Sequence, residues 1–144
     1  GYALSDQGRW AEAEAPFREG LATYQGGVGP DSPDLLDTIE GYAAVLDRLG
    51  RADEAEALYQ RADAIASSRL PPAHADAMAG AEKHAGFLIR QGRPGEARAR
   101  VRAELAELLG QDGRGLDWRT RVRGASPLFA RQVEAGWALA AAAD

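Results

Sequence analysis

The chain contains no cysteine, few aromatic residues, a single lysine and no long hydrophobic segment. The absence of cysteine excludes disulfides, thiolate chemistry and cysteine-based zinc sites. No apolar run approaches the roughly 20 residues of a membrane-spanning helix, so we expect no membrane insertion and a cytoplasmic location. Aromatic residues make up only 7% of the 144 residues, against 45% hydrophobic residues in total, so small aliphatic side chains must fill most of the core. Such a core favours closely packed helices over a β-sandwich.

An eight-residue segment occurs three times, always 42 residues apart and without a gap. The copies are Gly8–Ala15, Gly50–Ala57 and Gly92–Ala99, and they share one glycine, one arginine, one glutamate and two alanines at equivalent positions. Recurrence at a fixed period is typical of repeat proteins, in which each unit packs against its neighbours. The sequence therefore predicts an array of equivalent units.

The shared positions predict a helix–turn–helix unit. Each glycine follows an apolar helical stretch, where the end of a helix needs a left-handed residue, and acidic residues fall in the first turn of the next helix. The pairs Ala13/Phe17 and Ala55/Tyr59 place a small and a large side chain on one helical face. We predict no β-sheet, and helices over residues 10–25, 34–49, 52–68, 74–91, 94–109 and 127–142.

These alanine and aromatic pairs resemble the tetratricopeptide repeat signature. The 42-residue period and the loop sequence GPDSPDL, beginning at Gly29, resemble the kinesin light chain type of that repeat. The resemblance implies an all-α fold, a right-handed superhelical array of antiparallel helix hairpins. One departure is that the paired asparagines of the family's first helix are replaced by Glu40-Gly41 and Glu82-Lys83.

The resemblance also divides the chain into segments. Since Gly1 falls in the middle of a helical pattern, we expect the chain to be a piece of a larger protein. The predicted segments are tetratricopeptide-type repeats over 1–110 (1–26 partial, 33–68, 74–110), then a degenerate repeat with a C-terminal closing helix over 111–144.

The sequence offers no recognisable catalytic or metal-binding pattern, and we predict no enzyme activity and no cofactor. His74 lies in an inter-repeat loop at the position of Ser32, which predicts helix capping, and His84 lies on an apolar helix face, which predicts a packed core residue. The glycine-rich Gly26–Gly29 lacks the Lys-Ser/Thr of a phosphate loop, so it predicts a turn between helices.

Charge is distributed unevenly along a chain whose net charge is −5. Residues 1–89 are predominantly acidic and residues 90–131 are rich in arginine. The arginines could attract nucleic acid, but Glu96, Glu104 and Glu107 share their helix, so nucleic acid is not the expected partner.

In arrays of this family the first helix of each hairpin lines the inner surface. Clustered carboxylates in a concavity focus a negative potential, so we expect the partner to be a protein or peptide with basic side chains. The leading hypothesis is an interaction module in a larger, bacterial, signalling or scaffold protein. Two alternatives remain, a structural spacer for a catalytic domain such as a kinase and a peptide-sensing regulator. The candidate partner-binding residues are Asp37, Glu40, Asp47, Arg48, Glu82 and Arg90.

Overall fold

The computed structural model describes residues 1–71 and 74–110, with side chains of the last helix as far as Glu104. No strand occurs among these residues, and the predicted all-α class is confirmed. The predicted helix at 127–142 lies outside the described residues. The elements are α1 (Tyr2–Asp6), α2 (Trp10–Val28), a 3₁₀ turn (Pro33–Leu35), α3 (Leu36–Arg48), α4 (Ala52–Arg69), α5 (Ala75–Arg90) and α6 (Pro94–Gly110).

Helices that follow one another in the chain pack together as hairpins. The residues group into two compact units, Gly1–Leu70 and Pro71–Asp144. In the first unit α1 packs against α2, α2 against α3, and α3 against α4; in the second unit α5 packs against α6. The right-handed superhelical arrangement of the hairpins stays a prediction.

Each hairpin turn is closed by the same pair of backbone hydrogen bonds. The Gly50 N–H donates to the Asp47 carbonyl at 3.0 Å, and the Arg51 N–H donates to the Leu46 carbonyl at 2.9 Å. This is a Schellman motif, and it requires a left-handed residue, which Gly50 supplies with φ of 77°. Gly8 and Gly92 repeat the bonds and the conformation.

The arginine after each glycine also begins the next helix. The Arg51 carbonyl accepts the Ala55 N–H at 3.1 Å, and its guanidinium makes two hydrogen bonds of 2.6 Å to the Glu54 carboxylate. Arg9 and Arg93 bind the glutamates three residues later in the same way. One arginine therefore completes the first helix of a hairpin and fixes the first turn of the second.

The repeated alanines lie in the tightest part of each hairpin. Ala13, Ala55 and Ala97 are all 0% exposed, as the close approach of two helices requires. The larger side chains four residues later, Phe17, Tyr59 and Val101, are buried as well. The small and the large side chain therefore lie on one buried face in all three copies.

The loop between the first two hairpins differs in detail from the prediction. Helix α2 continues three residues beyond the predicted end, through Gly26 and Gly27 to Val28. Arg61 of α4 donates to the Gln25 side chain at 3.0 Å and to the Pro30 carbonyl at 2.7 Å, which supports this extension from outside the helix. These long-range contacts are not visible in the local sequence.

The predicted N-cap at Ser32 is confirmed. Its hydroxyl accepts the Asp34 N–H at 3.3 Å, with Pro33 in the first turn. The first three residues after this cap form the 3₁₀ turn, so α3 itself starts two residues later than predicted.

Candidate functional site

The exposed side of α1 and α3 carries an aromatic ring beside a carboxylate. Tyr2 of α1 is 46% exposed, and its hydroxyl lies 2.7 Å from a carboxylate oxygen of Asp37 and 2.7 Å from the Asp37 carbonyl. The Tyr2 ring also packs edge-on against Phe17 of α2, with ring centroids 4.9 Å apart. The hydroxyl therefore joins the first helix of one hairpin to the first helix of the next.

Gly41 makes this arrangement possible because it has no side chain. A Cβ at this position would lie 2.8 Å from the Phe17 ring and 2.9 Å from the Tyr2 hydroxyl. Any larger residue would displace the two rings.

Negative charge surrounds the Tyr2 hydroxyl. Partial burial is the main reason that the pKa of Tyr2 is well above its usual value, and the hydrogen bond to Asp37 raises it further. The charges of Asp37 and Glu40 act in the same direction. The Tyr2 phenol therefore stays protonated at neutral pH and can donate its hydrogen bond to Asp37.

The predicted residues of α3 are not equally accessible. Asp37 and Arg48 are exposed and Asp47 is half-buried, but Glu40 is only 4% exposed. Of the three acidic side chains, Glu40 therefore presents the least surface to solvent. The guanidinium carbon of Arg48 lies 5.7 Å from the Trp10 ring centroid, within range of a cation–π interaction.

The structure brings Asp37 and Glu40 together around Tyr2, whereas Asp47 lies further along the same helix. Ten residues separate Asp37 from Asp47, which corresponds to about 15 Å of helix. At about 100° per residue, Asp47 also lies about 80° around the helix axis from Asp37. The remaining candidates belong to α5 in the second unit, where Glu82 is half-buried and Arg90 is exposed.

Both histidines lie as predicted. The His74 ring nitrogen accepts the Asp76 N–H at 3.2 Å and caps α5. His84 is 6% exposed and its ring lies 6.2 Å from that of Phe87. Within the described ranges, no three side chains of the metal-binding types are grouped to hold an ion.

Sequence reasoning missed two interactions of the first unit. The arginine–glutamate pair of each turn is not one of these, since both of its residues recur at a three-residue spacing that could have revealed it. Arg51 also binds Glu14 of the preceding hairpin at 2.6 Å, with Glu14 24% exposed. The Tyr2–Asp37 contact spans 35 residues and had no sequence signal.

Comparison with known proteins identifies the repeat. Residues 1–68 match the family model described as tetratricopeptide repeat. No curated protein matches the chain. None of the helices in the part of the chain that the structure describes is both long enough and apolar enough to cross a membrane. Tetratricopeptide repeats typically act as non-catalytic modules that bind proteins or peptides. The match over residues 1–68 and the packing of the helices in adjacent pairs both support a tetratricopeptide repeat.

Proposed function

We propose that this chain is a protein-interaction module of a larger signalling or scaffold protein. We further propose that the exposed face of α1 and α3 binds a protein segment carrying arginine or lysine. The observation that carries the proposal is the pairing of the exposed Tyr2 ring with the exposed Asp37 carboxylate. The kinesin light chain type of repeat is also part of the proposal, on the basis of the 42-residue period.

A ring beside a carboxylate suits a cationic side chain in two ways. The face of an aromatic ring attracts a cation, with an energy of about 0.5–1 kcal/mol at an exposed site. The carboxylate of Asp37 supplies the opposite charge, and the field of the buried Glu40 adds to it. A guanidinium group benefits most, because it can stack on the ring and donate to the carboxylate together.

Asp47 adds a second carboxylate to α3, near the opposite end of the helix from Asp37. Asp47 lies about 15 Å from Asp37 along the helix, which equals about five residues of extended chain. A segment with two basic residues at about that spacing would engage both carboxylates. Exposed charges are screened by salt, with a Debye length of about 10 Å at 0.1 M and about 3 Å at 1 M, so binding should weaken as salt is raised.

The test is capture of a basic peptide library by the chain and by the variant Asp37→Asn. The asparagine side chain keeps an oxygen that can accept a hydrogen bond from the Tyr2 hydroxyl, so the fold is retained while the charge is lost. Asp53→Asn is the matched control, because Asp53 is exposed and is likewise the second residue of its helix, α4. We expect Asp37→Asn to weaken capture several-fold at low salt and Asp53→Asn to leave it unchanged.

Three results would contradict the proposal. Equal capture by the two variants at low salt would show that Asp37 takes no part in binding. Complete absence of saturable binding would favour the alternative of a structural spacer. Preference for acidic peptides would direct attention to the arginines of residues 90–131.

A further inference from the structure

Helix α6 presents two arginines on its exposed side. Arg98 and Arg102 are both exposed, and because they lie four residues apart on a helix, their Cβ atoms are about 5–6 Å from each other. The nearby glutamates of the helix, Glu96 and Glu104, are already bound by other arginines of the unit. The two exposed arginines, which we call the α6 arginine pair, can therefore bind an acidic group that comes from outside.

The position of Arg98 makes an outward contact in the first hairpin. Two periods earlier, the equivalent residue of α2 is Glu14. Its carboxylate accepts a hydrogen bond of 2.6 Å from Arg51, which belongs to the next hairpin. A side chain at this position of the repeat therefore reaches a charged group of a neighbouring body.

The charge at this position is reversed in α6. Because an arginine takes the place of the glutamate, a neighbour that contacts it in the same way must offer a carboxylate in place of a guanidinium group. The residue of this chain that corresponds to Arg51, two periods later, is Ala135, which carries no charge. The repeat pattern thus provides Arg51 for Glu14 but no carboxylate for Arg98.

The first unit carries two carboxylates with a matching spacing. Asp34 in the 3₁₀ turn and Asp37 in α3 are both exposed and lie three residues apart, so their Cβ atoms are also about 5–6 Å from each other. We call them the acidic pair. A carboxylate can accept several hydrogen bonds, so Asp37 can hold the Tyr2 hydroxyl and a guanidinium group together.

We infer that copies of this chain bind one another, with the α6 arginine pair of one copy against the acidic pair of the next. Because the two surfaces are different, the contact is head-to-tail, and a bound copy still presents one surface to a further copy. The inference rests on the proposed function, since Asp37 takes part in both. It names the chain's own arginines as a ligand of that face.

A second copy suits the arginine pair better than nucleic acid does. Nucleic acids are held by neutralising many phosphates, whereas this surface offers two arginines on a chain whose net charge is −5. Two such copies repel each other at long range. The Debye length of about 10 Å at 0.1 M salt screens this repulsion more than it screens ion pairs in contact.

The first experiment is sedimentation velocity of the full chain over a range of concentrations. We expect the average mass to rise with concentration at 0.1 M salt and to fall to that of a single chain at 1 M. Arg98→Gln with Arg102→Gln should weaken association at least tenfold. The matched control is Arg18→Gln with Arg69→Gln, two exposed arginines of the first unit, which changes the net charge equally and should leave association unchanged.

A mixture of two variants tests the head-to-tail contact directly. Arg98→Gln with Arg102→Gln keeps the acidic pair, and Asp34→Asn with Asp37→Asn keeps the arginine pair. Each variant alone should remain a single chain, and the mixture should form a complex of two copies that does not grow further. Circular dichroism checks that both variants are folded. Absence of a complex in the mixture, or association of either variant alone as strong as that of the parent chain, would overturn the inference.

Capture of basic peptides separates this inference from the proposed function. The variant Arg98→Gln with Arg102→Gln should capture them as well as the parent chain does, since its acidic pair is intact. A parent chain that captures basic peptides but stays single at 0.1 M salt would overturn this inference alone. Failure of both capture and association would contradict the proposed function as well. If the two arginine substitutions weaken binding of single-stranded DNA and leave sedimentation unchanged, the arginine pair contacts nucleic acid and the inference is wrong.

Discussion

The first and second hairpins of the chain share their turn but differ in the helix that follows it. Both turns have the glycine in the left-handed conformation, the same backbone bonds and the same arginine–glutamate pair. Beyond the turn, α2 carries Pro16 and Gly20 where α4 carries Leu58 and Ala62. Even so, the two helices have 19 and 18 residues. The turn is thus set by local hydrogen bonds, while helix length depends on packing.

Packing explains how α2 tolerates unfavourable residues. Proline and glycine are the two weakest residues for a helix interior. Pro16 and Gly20 are both exposed, whereas Ala13, Phe17 and Leu21 are buried. The buried side holds the helix together, and the exposed side contributes little. Substitutions at equivalent positions of the two hairpins should therefore change the free energy of unfolding by different amounts or in opposite directions.

The largest effect is expected from placing a larger side chain between the two helices of a hairpin. Ala55→Leu should lower the free energy of unfolding by roughly 1–3 kcal/mol, because Ala55 is 0% exposed between two long helices. Ala13→Leu should cost less, since its partner α1 has only 5 residues and can shift. Urea denaturation of both variants measures the difference. Equal losses would mean that the length of the first helix does not limit relaxation.

Removing the proline of α2 should stabilise the protein. Pro16→Ala should raise the free energy of unfolding by about 2 kcal/mol, from an intrinsic difference of about 3 kcal/mol reduced by the more flexible unfolded chain. The equivalent change in α4, Leu58→Ala, removes a half-buried side chain and should lower the free energy of unfolding. Thermal unfolding of the two variants tests the opposite signs, and a shared sign would refute the comparison.

A smaller gain is expected at Gly20. A Cβ at this position meets no atom within 4 Å, so Gly20→Ala should add about 0.5–1 kcal/mol through helix propensity alone. The reverse change in α4, Ala62→Gly, should cost more than this amount, because Ala62 is buried and also loses contacts. Denaturation midpoints should show the asymmetry; symmetrical changes would argue that packing at Ala62 is unimportant.

The smallest effect concerns the arginine–glutamate pairs. The hydrogen bond from Arg51 is the main reason that the pKa of Glu54 lies below its usual value, and Arg9 does the same for Glu12. A carboxyl whose pKa is lowered by folding stabilises the protein above its unfolded pKa, and this contribution is lost as pH falls through the lowered value. Both glutamates are more than half exposed, so the change should be slight.

NMR titration can follow each carboxyl directly. Arg51→Met should return the pKa of Glu54 towards its usual value and leave Glu12 unchanged, and Arg9→Met should do the converse. A Glu54 titration that does not respond to Arg51→Met would show that this pair is not formed in solution.

Most of the hairpin architecture could be predicted from the sequence because its signals are local. Glycine in the turn, the cap at Ser32 and the cap at His74 each act within a few residues, and all three are confirmed. Several helix ends differ from the prediction by one to three residues. The longest error, at Val28, lies beside the loop that Arg61 binds.

The candidate site was harder to predict because it depends on contacts between helices. The inner-face prediction treated Glu40 as an accessible carboxylate, but whether a residue on that face is exposed depends on its neighbours, and Glu40 is 4% exposed. Tyr2 is absent from the predicted site, although its hydroxyl reaches Asp37 in another hairpin. A period identifies equivalent positions, but the residue equivalent to Tyr2 in the second hairpin is Ala44, which has no hydroxyl group to make such a contact.

The arginine of each turn has a consequence for how the protein can change. The three residues between α3 and α4 all donate backbone N–H groups to the end of α3, and the Arg51 carbonyl also accepts the first backbone hydrogen bond of α4. An insertion at this point would break the end of α3 and the start of α4 together. Length variation, and any engineered insertion of a reporter domain, is better tolerated in the stretch from Gly29 to Ser32. The hairpin is thus the smallest unit that can be duplicated, deleted or exchanged while both helix ends at its turn stay intact.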